Sequence, residues 1–103
     1  MFYPRSQRRV CTVTGKVVFK YEIPPEGRVL HHGPSFRVVH VGAQGDAVFL
    51  WAEVAPDELH DLISTWAVFG TGHSIPGDAS YVGTSFVGVL VLHVYELAAG
   101  GVR

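Results

Sequence analysis

Over residues 11–23, CTVTGKVVFKYEI, apolar and polar positions alternate. Cys11, Val13, Gly15, Val17, Phe19, Tyr21 and Ile23 fall on one face; Thr12, Thr14, Lys16, Val18, Lys20 and Glu22 fall on the other. A period of two predicts a half-buried strand, and Pro24-Pro25 ends it because proline brings no amide to a ladder. Residues 26–35 contain Gly27, Gly33, Pro34 and the pair His31-His32, and read as a loop with at most a short strand around Val29. Phe36 to Val41 is the next strand. Gly42 to Asp46 is a turn-rich connection of hairpin length, after which Ala47 to Val54 resumes with β-branched and aromatic residues. A hairpin over 36–54 is the clearest local pairing.

Residues 55–63, APDELHDLI, break the alternation. Pro56 suits a first helical turn, Asp57 and Glu58 suit its positive end, and Leu59, Leu62 and Ile63 recur at i, i+3 and i+4. That pattern predicts one short helix or helical turn near 56–63. Ser64 to Phe69 and Tyr81 to Phe86 read as strands, and Val87 to Leu97 as a longer one. This last strand is apolar on both faces, with Val89, Val91 and Tyr95 on one and Leu90, Leu92 and Val94 on the other. Such a strand must be covered twice, by the helical segment or at a subunit contact. Val89, Val91 and Tyr95, with Trp66, are therefore the candidate interface residues, and a homo-oligomer is an expectation. The predicted fold is all-β: about six antiparallel strands in a small sandwich or roll, occupying 11–98 between a flexible basic leader, 1–10, and a tail, 99–103.

Composition narrows the classes. With 103 residues, 48% of them hydrophobic, the chain holds one core and is too short for two ordinary domains. Eight basic and nine acidic residues give a net charge of −1, so nothing draws it strongly to nucleic acid or an anionic membrane. Arg5, Arg8 and Arg9 read as a solvated arm, since nucleic-acid binding usually draws on a broad basic face. Cys11 is alone, which excludes an intramolecular disulfide and fits a reducing compartment. The run 87–95 is far shorter than the ~20 residues of a membrane-spanning helix, and residues 1–15 show no apolar signal-peptide region.

The segment FGTGHSIPGD, residues 69–78, carries most of the candidate chemistry. As a dinucleotide fingerprint it fails at Ile75, where a third glycine belongs. As a P-loop it fails at Asp78-Ala79, and as a nucleophile elbow at Pro76. Two readings survive. Gly70, Thr71, Gly72 and His73 form a backbone anion site for a small ligand or nucleotide, or a tight turn in which glycines supply unusual dihedrals and His73 bonds a backbone carbonyl. The turn is favoured, because glycine and proline between strands are ordinary turn chemistry.

Of the six histidines, none lies in an HxH or HExxH spacing, and no metal or other cofactor is expected. His40 and His93 sit on predicted strands where they face each other across a sheet, and Glu53 or Glu96 would complete an acid/base set with them. Solvent-facing or ion-paired carboxylates are the simpler reading. Trp51, Trp66, Phe49 and Phe69 read as aromatic core.

Five phrases in order, FKYEIP at 19–24, LWAEV at 50–54, GTGHSIP at 70–76, YVGT at 81–84 and HVYE at 93–96, resemble a family of small bacteriophage and prophage proteins of unknown function. The similarity covers about residues 17–97. It departs at Ser74, where relatives tend to have proline, in the leader 1–15, and at Leu59 to Ile63. The resemblance implies a phage origin and a host-cytoplasm setting, and brings no activity or catalytic residue. The expected function is a non-enzymatic accessory protein that binds a host protein. The alternatives are a small anionic-ligand protein using the 70–78 loop and a virion or decoration component.

Overall fold

The structure is a computed structural model that describes residues 15–98. The leader 1–10, the start of the alternating run at 11–14 and the tail 99–103 lie outside the described residues. Seven strands form: β1 Val17–Ile23, β2 Arg28–His32, β3 Arg37–Gln44, β4 Ala47–Val54, β5 Leu62–Gly70, β6 Ser80–Val87 and β7 Leu90–Leu97. They make two antiparallel sheets, one ordered β1-β4-β3 and the other β2-β5-β7-β6. The all-β expectation holds, with one strand more than expected.

Two hairpins seed the sheets. Gln44 pairs with Ala47 around Gly45-Asp46, and Val87 pairs with Leu90 around Gly88-Val89. Each loop begins with a glycine at positive φ, 62° at Gly45 and 58° at Gly88, followed by a residue at negative φ. That is the pattern of a type II′ turn, whose twist matches the flanking strands. β1 takes its place beside β4, Ile23 opposite Val48 and Val17 opposite Val54. A tight turn, with the Gly27 amide donating to the Pro24 carbonyl at 2.8 Å, then carries the chain to the second sheet, where β2 pairs with β5.

Alternation along β4 packs the core: Val48, Leu50, Ala52 and Val54 are buried while their neighbours are half exposed. Leu50 meets Ile23, Leu30, Val41, Trp66 and Val94 in one cluster between the sheets, and burial of side chains of this size stabilises by about 1.5–3 kcal/mol each. At one corner β3 and β6 approach so closely that a Cβ on Gly83 would lie 2.8 Å from Val41.

Two expected elements change. No helix forms among the described residues; residues 55–61 hold a single turn in which the Glu58 amide donates to the Ala55 carbonyl at 3.1 Å. A helix of about two turns is marginal without a surface to pack on, and Leu59 is 79% exposed. Leu62 and Ile63 are instead taken into β5, opposite His32 and His31. The second change is at Val87 to Leu97, which is two strand segments and a turn. Gly88 reverses the chain, and Val89 sits at the loop tip, 97% exposed.

Candidate functional site

Cross-strand partners share a face of a sheet, so the buried Val94 fixes which way each strand of the four-stranded sheet points. Ser64, Trp66, Val94 and Glu96 turn inward. The outer face carries Val29 and His31 from β2, Ile63, Thr65, Ala67 and Phe69 from β5, Val91, His93, Tyr95 and Leu97 from β7, and Tyr81, Thr84 and Phe86 from β6. Val29, Ile63, Tyr81 and Phe86 are each more than half exposed. Among the described residues this face holds no Lys, Arg, Asp or Glu.

A hydrogen-bonded row crosses the middle of that face. Thr71 Oγ1 lies 2.9 Å from His93 Nε2, His93 Nδ1 lies 3.0 Å from Thr84 Oγ1, and Thr84 Oγ1 lies 2.6 Å from the Tyr81 hydroxyl. Both imidazole nitrogens therefore meet hydroxyls, which adapt as donor or acceptor to either tautomer. Tyr95 packs edge-on against Phe69 and Tyr81, with centroids 5.7 and 5.5 Å apart. The cause is register: Thr84 and Phe69 both stand opposite His93, and Tyr81 opposite Tyr95.

The outer face of the three-stranded sheet is different in kind. Lys20 donates to Gln44 Oε1 at 2.6 Å and lies over the Phe49 ring, and Arg37 pairs with Glu53 at 3.2 Å. Trp51 packs between Phe49 and His40. Charge and long polar side chains cover these aromatics.

The loop at 70–73 is a closed turn. The His73 amide donates to the Gly70 carbonyl at 3.1 Å, and Gly72 takes φ 92° at the third position, as a type II turn requires. His73 Nδ1 accepts from the Gly70 amide at 3.3 Å, instead of donating to a carbonyl as the turn reading had it. The Gly70 and His73 amides and the Thr71 hydroxyl thus have partners within the chain.

The other candidates separate. His40 and His93 lie on the outer faces of different sheets and do not face each other. Glu53 is ion-paired to Arg37, and Glu96 turns inward beside Trp66, so neither joins a histidine in an acid/base set. Among the described residues no three His, Cys, Asp or Glu side chains converge. Trp66 is core, 3% exposed, and not a surface residue; Val91 and Tyr95 keep the outer face, while Val89 leaves it for the loop tip. Phe49 and Trp51, expected in the core, lie on the outer face of the three-stranded sheet, and Phe69 on that of the four-stranded one.

Sequence reading passed over a second polar cluster, on the inner side. Trp66 Nε1 donates to Ser64 Oγ at 2.8 Å, Ser64 Oγ lies 2.9 Å from His32 Nε2, and His32 Nδ1 lies 2.8 Å from the Gly33 carbonyl. A carbonyl only accepts, so Nδ1 carries the proton; Ser64 accepts from Trp66 and donates to Nε2. The available signal was Ser64 itself, a hydroxyl two residues from a core tryptophan on one strand. Glu58 does not sit at a helix N-terminus. Its carboxylate accepts from the Ser35 hydroxyl and, at 3.0 Å, the Ser35 amide, tying the 55–58 turn to the 33–36 turn. Those two bonds, the hydroxyl's first, hold the Glu58 carboxyl below the ordinary glutamate range.

Fold and face together define a small two-sheet β protein with one charged and one apolar outer surface. The model of a family described as Domain of unknown function (DUF7352) matches residues 14–102, and the chain belongs to that family. No curated protein and no solved structure shows significant similarity to it.

Proposed function

We propose that this protein is a non-enzymatic binding module that engages another protein through the outer face of its β2-β5-β7-β6 sheet. The observation that carries this is the contrast between its two outer faces. One carries Lys20, Glu22, Arg37 and Glu53 and covers its aromatics; the other leaves Val29, Ile63, Tyr81 and Phe86 exposed around a row of hydroxyls and one imidazole, without a formal charge among its described residues. Interface centres are depleted in charge and enriched in aromatic residues, and large contiguous apolar patches mark interaction sites. The Thr71–His93–Thr84–Tyr81 row supplies polar atoms that fix orientation within such a patch.

The resemblance to phage proteins supports a host protein as the partner and the host cytoplasm as the setting. A few residues near the centre of an interface carry most of its binding energy, each about 2 kcal/mol or more. Phe86→Glu and Ile63→Glu, both at exposed positions, are therefore expected to abolish partner capture while leaving the thermal transition in place. Capture unchanged in both variants would place the binding surface elsewhere.

A further inference from the structure

A cleft of about 460 Å³ opens between β3 and β6, lined from the inner side by His32, Phe36, Trp66 and Glu96 and reaching Tyr81 at the edge of the apolar outer face. Both breaks in ladder register among the described residues flank it. The β3–β4 register shifts between Val38 and His40, and the β6–β7 register between Tyr81 and Gly83. The residues skipped, Val39 and Val82, both line the cleft. Bulges re-aim side chains and gather beside functional sites, and here two on different sheets converge on one cavity.

The lining sets what it can hold. Phe36 stacks on His32 with centroids 4.4 Å apart, and its ring lies 5.9 Å from that of Trp66. The nitrogens of His32 and Trp66 are already committed to the Gly33 carbonyl and Ser64. His32 and Phe36 therefore offer a ligand ring faces and edges rather than hydrogen-bond donors, while Trp66, 3% exposed, adds only the rim of its ring. Glu96 is the one Asp, Glu, Lys or Arg side chain lining the cleft, placed opposite Trp66 across the β5–β7 ladder, and no hydrogen bond or ion pair engages it among the described residues. His40, at the rim, holds its ring against Trp51 on the far face of β3. A carboxylate beside aromatic rings repels anions and favours a cation with an apolar skirt, since the face of an aromatic ring is its negative part.

We propose that this cleft is a binding site for an organic cation of the alkylammonium or guanidinium class, with Glu96 as its counter-charge and Phe36 as its aromatic wall. The same chemistry is presented by a free amine and by a lysine or arginine side chain of a protein.

The test is a titration of the full chain followed by amide and indole NMR, using n-butylammonium, N-acetyl-lysine methylamide, butyrate and butanol as probes. Saturable shifts at the Trp66 indole and the Glu96 amide with at least one of the two amines, and none with butyrate or butanol, are expected. Butylammonium alone acting would indicate a free amine, and the lysine derivative alone a protein side chain. Glu96→Gln is expected to weaken the interaction at least tenfold. Val39→Trp, at a position 43% exposed, fills the cleft with Glu96 intact and is expected to abolish it, which decides the matter should Glu96→Gln not fold. No saturable shift with either amine, equal binding of butyrate, or full affinity in the variant that folds would overturn the assignment.

Discussion

Gly83 on β6 and Val41 on β3 touch across the corner where the two sheets meet: a Cβ at 83 would stand 2.8 Å from both Cβ and Cγ2 of Val41. That spacing is below any ordinary contact, and the valine is 9% exposed with little room to move. Gly83→Ala is therefore expected to destabilise the fold by about 1–3 kcal/mol, the usual penalty of overpacking. Adding Val41→Ala should recover part of the loss even though that change alone also destabilises. Urea denaturation of the two single variants and the double variant reads the coupling directly; simple additivity would mean that the two strands do not meet there.

Ser64 holds two aromatic partners at once. Ser64→Ala leaves the Trp66 indole N–H and His32 Nε2 without the oxygen between them, in a pocket where Ser64 is 6% exposed. An unsatisfied buried donor costs about 1–3 kcal/mol, so the urea midpoint should fall accordingly, with a change in the near-ultraviolet signal of tryptophan. A neutral effect would mean that water replaces the hydroxyl.

His73 is expected to matter little. Its ring accepts one long hydrogen bond, 3.3 Å from the Gly70 amide, at an exposed position. His73→Ala should cost less than about 1 kcal/mol in thermal unfolding and leave partner binding intact. Loss of binding with stability unchanged would add His73 itself to the recognition residues beside Thr71.

Glu58 links stability to acid. Ser35 keeps its folded-state proton affinity below that of the unfolded chain, so the folded form loses the proton first as pH rises. The stabilisation is thus present above the ordinary glutamate range and is lost as pH falls through the lower folded value. Glu58→Gln should flatten the acid limb of a plot of urea midpoint against pH, and an unchanged limb would show that the Ser35 contacts do not persist in solution. Tyr21 acts at the other extreme. Burial raises its hydroxyl above the ordinary range against the lowering influence of Arg28, so its contribution is complete below the unfolded value and is lost in alkali.

Strands were legible where alternation met a buried face, as along β4, and the β3–β4 hairpin where Gly45 stands at a polar reversal. The partition of the strands into two sheets was not, because it depends on pairings such as Tyr21 with Leu50 and Leu30 with Ser64 that no local pattern encodes. Residues 55–63 misled for a related reason: the i, i+3, i+4 spacing of Leu59, Leu62 and Ile63 is real, but β2 offers Leu62 and Ile63 a ladder and nothing offers Leu59 a surface. Val87 to Leu97 read as one strand because valine follows Gly88 at a turn position normally given to polar residues. The polar rows were hidden for the same reason as the sheets. Thr84, His93 and Thr71 lie far apart in sequence and meet only once β5, β6 and β7 are in register.

The outer face of the four-stranded sheet is tested most directly by photo-crosslinking in living bacterial cells from defined positions. A benzophenone side chain replaces Phe86 or Ile63 on that face in turn, and Trp51 or Gln44 on the opposite one. The expected result is a discrete adduct with one other protein from Phe86 and Ile63, and none from Trp51 and Gln44. Adducts from the three-stranded sheet instead, or only with a second copy of this chain, would contradict it.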